Sequence, residues 1–205
     1  MTKTYKIMYA IFAPLVRLIY RIKTVDEAKM PPHGVLICAN HTALADVLVL
    51  CAAVKTQQIR FMAKKELFSI PLLKGLISSL GAFPVDRRGM DVGALKRTIA
   101  FLKDGETVGI FPQGTRCPTV DPRTTEPKGG IGMIAYHSKT DVMPVYIRTK
   151  GNKVKLFHKT EIIFGDVIRN DEFGFTKGGN AEYESASRTV FARICEMSDE
   201  AKGLK

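Results

Sequence analysis

The sequence predicts an α/β fold: a single domain built on a mostly parallel central sheet flanked by helices, with an N-terminal amphipathic helical segment in front of it. Three observations lead there. Short apolar runs bounded by turn residues alternate with longer, helix-compatible stretches, the pattern of strands and helices that builds such sheets. The first run, Gly34 to Ala39, is apolar along its length, as a strand buried on both faces should be. The composition, 45% hydrophobic and 25% charged over 205 residues, suits one globular domain with its own core. No stretch repeats at a fixed period, which argues against a solenoid.

Taken in order, the strand at Gly34–Ala39 follows Pro31-Pro32, and Thr42 to Ala53, rich in Ala, Leu and Val, is long enough for a helix. Ile59 to Ala63 reads as the second strand, Leu67 to Leu80 as a helix interrupted near Pro71, and Gly81 to Val85 as the third strand. Met90 to Lys103 has Leu95, Ile99 and Leu102 at helical spacing and ends at Asp104-Gly105. Thr107 to Phe111 is the next strand, and Pro112 to Gly130, rich in Pro, Gly and Thr, is a loop. Ile131 to His137 reads as helix, Val142 to Ile147 as strand, Lys153 to Phe164 as further strands by alternation, and Tyr183 to Glu196 as a closing helix.

The net charge of +11 calls for an anionic partner without choosing among nucleic acid, bilayer, phosphorylated substrate and acidic carrier protein. The chain lacks a helix-turn-helix signal, a zinc finger and an aromatic-rich RNA motif, so nucleic acid is not expected. The basic stretch Arg148, Lys150, Lys153, Lys155 and Lys159 reads as a solvated strand face, with docking of an acyl carrier protein as a second reading. The four cysteines form no CxxC pair and no His stands at ligand spacing from them, so no metal is expected; Cys38 and Cys51 read as core thiols.

Residues 1–22 are set apart from a domain spanning 23–205. Roughly ten apolar residues, Ile7 to Val16, lie between charges, against the ~20 that span a bilayer. Tyr5, Tyr9, Phe12 and Tyr20 are available for a membrane interface, and Lys3, Lys6, Arg17, Arg21 and Lys23 for lipid phosphates. The competing reading is a helix packed on the domain's own core.

In α/β sheets ligands gather beyond the carboxyl ends of strands. After the first strand stands Asn40-His41-Thr42-Ala43-Leu44-Ala45-Asp46. With His41 on the turn and Asp46 about one turn inside the helix, the pair can meet, the Asp fixing the tautomer and the other ring nitrogen serving as base. The loop Pro112-Gln113-Gly114-Thr115-Arg116 follows another strand and offers a tight backbone, a hydroxyl and a two-pronged phosphate donor. Lys64-Lys65-Glu66 and Asp86-Arg87-Arg88 follow two more. Parallel strands would bring all of these to one sheet edge.

Set together, these blocks resemble the PlsC-like glycerolipid acyltransferase family, the bacterial 1-acylglycerol-3-phosphate acyltransferases. Its His-x4-Asp motif is matched at His41–Asp46, its second block at Ala63–Leu67 with Pro71, Gly81 and Val85-Asp86-Arg87, and its third at Phe111–Arg116. Val142-Met143-Pro144-Val145 matches the last block, and Lys128-Gly129 a Lys-Gly step before a helix. The resemblance implies a peripheral enzyme on the cytoplasmic face of the membrane, bound to its anionic surface. It would need no cofactor and would move an acyl group from acyl-ACP or acyl-CoA to lysophosphatidate, giving phosphatidic acid. His41 would be the general base, oriented by Asp46; Lys64, Arg87, Gly114, Thr115 and Arg116 would hold the substrate phosphate. Gln113 and Cys117 stand where the family has Glu and Ser, which makes Gln113 a candidate for acceptor selection and leaves another lysophospholipid open as acceptor. A non-catalytic lipid-binding relative is the remaining alternative.

Overall fold

Alternation along the strands divides the core into two layers. In β2 (Leu36–Ala39), Ile37 and Ala39 face one side of the sheet while Leu36 and Cys38 face the other, and all are buried. Strands covered on both faces must be apolar throughout, which is why these runs lack the polar alternation of a half-exposed sheet. A computed structural model describes residues 2–86, 88–89 and 91–203 of the chain. The remaining strands are β1 (Ile22–Val25), β3 (Ile59–Lys64), β4 (Ala82–Val85), β5 (Thr107–Ile110), β6 (Val142–Thr149) and β7 (Thr160–Phe164). The helices are α1 (Lys3–Ile19), α2 (Asp46–Ala53), α3 (Pro71–Ser79), α4 (Val92–Lys103), α5 (Gly130–Ser138) and α6 (Asn180–Gly203).

The seven strands form one sheet in the order β1-β7-β6-β2-β5-β3-β4. Strands β6, β2, β5, β3 and β4 are mutually parallel; β7 pairs antiparallel with β6, and β1 runs parallel to β7. Helices α1 and α2 pack into the layer holding Val49, Leu50, Phe61 and Val145. Helices α4, α5 and α6 contribute Leu102, Ile131, Ile134, Val190 and Ile194 to the other layer. The neighbours β2 and β5 therefore send their following helices to opposite faces, which opens a crevice between their carboxyl ends.

Three expectations need correction. Helix α2 starts at Asp46, not Thr42, because the preceding residues form a turn closed by Asp46 N–H donating to Ala43 O at 3.1 Å. Of Lys153 to Phe164 only β7 is a strand; the residues before it make the turn that reverses the chain between β6 and β7. Strand β1, unforeseen, is a four-residue edge strand of mixed polarity, too short to carry a periodic signal. The boundary expected at 22/23 falls inside it.

The N-terminal segment is also differently arranged. Tyr5, Ala13 and Val16 are buried, while Tyr9, Phe12 and Tyr20 are half-buried against the same core. Burial also pushes the Tyr5 hydroxyl above its ordinary pKa. Arg17 donates to Ala52 O at 2.8 and 2.6 Å, and the Tyr9 hydroxyl donates to the same oxygen at 3.1 Å, so both cap the carboxyl end of α2. The aromatics and Arg17 expected at an interface thus face the domain. What α1 exposes from Ile7 onward is apolar: Ile7, Ala10, Ile11, Pro14, Leu15 and Leu18. Among the described residues no helix is long and apolar enough to cross a membrane.

Candidate active site

Asp46 opens α2 and folds its carboxylate back over the turn that precedes it. Oδ2 accepts the backbone N–H of Thr42 and, at 2.8 Å, that of Ala43; Oδ1 accepts the Thr42 hydroxyl at 3.1 Å. His41 Nδ1 lies 2.8 Å from the same Oδ2. Since both carboxylate oxygens already accept, Nδ1 is the donor, and Nε2 is left as the acceptor. The carboxylate is fully buried and the imidazole nearly so, so neither group can swing away without leaving buried polar atoms unpaired.

The loop after β5 grips His41 on three sides. Its backbone N–H donates to Gln113 Oε1 at 2.7 Å, its carbonyl accepts the Cys117 N–H at 2.8 Å, and its ring stacks on Phe111, centroids 3.9 Å apart and 11° from parallel. Phe61 of β3 continues the stack at 5.9 Å from Phe111. The Gln113 amide nitrogen donates to Thr125 Oγ1 at 3.0 Å. Asn40, one residue earlier, exchanges both its amide groups with the Ile147 backbone, at 3.1 and 2.7 Å, and ties the His41 loop to β6.

His41 and Phe111 border a cavity of about 390 Å³. Phe61, Met62, Leu95, Ile110, Ile131 and Ile134 give it apolar walls, and Asp86, Asp91, Gly114 and Lys128 supply polar groups. Gly114 has φ +67°, a conformation that favours glycine, and lies under the Lys128 side chain, since a Cβ there would stand 2.8 Å from Lys128 Cδ. A cavity with apolar walls, a hydrogen-bonded His, and a lysine and two carboxylates in its lining can hold a long apolar chain beside a polar head.

The acyltransferase family model matches residues 21–148, which contain every strand-end loop just described. The chain belongs to that acyltransferase family. It is 32% identical over 155 residues to the 1-acyl-sn-glycerol-3-phosphate acyltransferase of Bacillus subtilis (strain 168), a match over 74% of this chain and 76% of the relative. It is 35% identical over 121 residues to the 1-acyl-sn-glycerol-3-phosphate acyltransferase of Streptococcus pneumoniae, covering 58% of this chain and 44% of that one. In fold it is similar to the crystal structure of the 1-acyl-sn-glycerophosphate acyltransferase PlsC from Thermotoga maritima, with a TM-score of 0.66 at 22% identity over 96% of this chain and 84% of that one.

Within this acyltransferase, the tertiary structure divides the expected site residues. His41 and Gly114 meet at the cavity, with Asp46 buried behind His41 and bonded to its ring. Thr115 and Arg116 are exposed, and Lys64 is exposed with its Nζ 3.7 Å from Glu66. Among the described residues these three do not line the cavity. Arg87 lies outside the described residues. Gln113, expected to select the acceptor, is buried with both amide atoms engaged by His41 and Thr125. Sequence reasoning did not single out Phe111 or Lys128 as site residues. The Lys-Gly step before α5 was a signal for Lys128, whereas the Phe111 stack depends on a contact across 70 residues that no local pattern records.

Proposed function

We propose that the chain transfers a fatty acyl group from a thioester, acyl-ACP or acyl-CoA, to the free hydroxyl of 1-acylglycerol-3-phosphate, giving phosphatidic acid. The observation that carries this reading is the His41–Asp46 contact of 2.8 Å beside an apolar cavity. His41 Nε2 takes the proton of the acceptor hydroxyl as its oxygen attacks the thioester carbon; Asp46 holds the tautomer and stabilises the imidazolium that forms. The thiolate is a good leaving group, so positioning the two reactants is most of the task. Lys128, which lines the cavity, meets the acceptor phosphate, and Lys64 and Arg116, exposed on the loops after β3 and β5, add positive charge to the same sheet edge. The names of the relatives support the choice of acceptor. The exposed apolar strip of α1, flanked by Lys3 and Lys6, supports a seat on the cytoplasmic surface of an anionic membrane, where this acceptor resides.

The test is purified protein given labelled acyl thioester and a panel of lysophospholipids, beside His41→Ala. Wild type should acylate lysophosphatidate first among the panel. The variant should keep its circular dichroism and lose at least about 100-fold in kcat. Activity within about tenfold of wild type would remove the base role from His41.

A further inference from the structure

The turn between β6 and β7 puts two large apolar side chains into solvent: Leu156 is 55% and Phe157 70% exposed. Phe157 has φ +61°, a left-handed conformation that bulky residues rarely adopt. Its N–H donates to Ile19 O at 2.7 Å, which pins the tip to the carboxyl end of α1. Lys153, Lys155, His158 and Lys159 surround the tip on the chain and are all exposed; Lys159 pairs with Glu161 at 3.1 Å. Across the Ile19 contact follow Arg21 and Lys23, also exposed. The turn is bound to the catalytic edge as well: Val154 N–H donates to Thr42 Oγ1 at 3.3 Å, and Thr119 N–H to Asn152 O at 2.9 Å.

We propose that Leu156 and Phe157 form a second lipid-inserting tip, separate from the strip on α1, that sets the height of the His41 loop over an anionic bilayer. This inference rests on the membrane seat proposed for α1. An aromatic and an aliphatic side chain ringed by lysines match the layering of a lipid surface, apolar groups below and anionic phosphates above. The exposed Leu15 and Leu18 of α1 precede Ile19, whose carbonyl holds the tip, so the strip and the tip are joined through one backbone hydrogen bond. A helix strip alone lets the domain rock along the membrane; a contact bonded through Val154 to Thr42 transmits its depth to the neighbour of His41.

The chain contains no tryptophan, so Phe157→Trp in this 205-residue chain is a single-tryptophan reporter that keeps an aromatic at this position. With vesicles of phosphatidylcholine and phosphatidylglycerol, its emission should shift to the blue and be quenched by brominated lipid; with phosphatidylcholine alone the effect should be far weaker. Leu156→Ser with Phe157→Ser should weaken vesicle binding by about tenfold or more. Lys155→Gln with Lys159→Gln, which leaves the tip's apolar side chains in place, should weaken binding to anionic vesicles only. If wild type sediments with vesicles but the Phe157→Trp reporter stays unquenched, binding runs through α1 and the tip is excluded. If wild type ignores vesicles, the membrane seat fails and this inference with it. A shift of the reporter's emission that needs acyl carrier protein and ignores lipid would make the turn a protein-docking surface and overturn the proposal.

Discussion

The His41 imidazole lies flat on the Phe111 ring, 3.9 Å between centroids. A ring face attracts a cation more than a neutral imidazole, so this contact strengthens as the base takes its proton. Phe111→Leu should therefore lower kcat by about three- to tenfold, with little change in KM for the acceptor. Phe111→Tyr should keep most of the rate. Steady-state kinetics on the two variants separates a role in the reaction from one in binding.

The Gln113 side chain accepts the His41 N–H on one side and donates to Thr125 Oγ1 on the other. A carboxylate can keep the first bond but cannot donate the second, and the Thr125 hydroxyl already donates to Pro122 O at 2.7 Å. Gln113→Glu should lower stability by about 1 kcal/mol, read by thermal denaturation. The ranking of acceptors should stay as in wild type, because the amide faces the protein. A changed ranking would return Gln113 to acceptor selection.

Hydrogen bonding from Arg88, then from Lys65, holds the Asp86 carboxyl below its usual pKa. A depressed folded-state value means the stabilisation is complete above the unfolded pKa of about 4 and is lost as pH falls toward the folded value. The melting temperature of wild type should thus decline more steeply below about pH 4 than that of Asp86→Asn. High salt should shrink the difference, since Asp86 is only half-buried and its partner Arg88 is exposed.

Helices α5 and α6 meet at Gly132, where a Cβ would stand 2.1 Å from the Tyr183 carbonyl oxygen. Gly132 N–H also donates to Ser187 Oγ at 3.0 Å. Backbone cannot yield as a flexible side chain would, so Gly132→Ala should destabilise the fold by about 1–3 kcal/mol, measured by urea denaturation. Gly130→Ala, with nothing near its Cβ position, is the control.

Much of this protein could be read along the chain. Apolar runs with turn residues at their ends marked most of the sheet, and the residue types after them marked the loops of the candidate site. Once the strands were parallel, those loops had to share an edge, so His41, Asp46 and Gly114 followed from local signals. What only the tertiary structure decided was direction. Helix α1 is apolar on both sides from Ile7 to Val16, so its periodicity could not say that Phe12 and Val16 face the core while Ile11 and Leu15 face out. The Lys-Gly step marked Lys128, but nothing local showed that Gln113 would turn inward to His41 while Lys128 reached the cavity. Local sequence determines which residues can be buried or charged; the partner each one meets lies across the sheet, and only the closed fold assigns it.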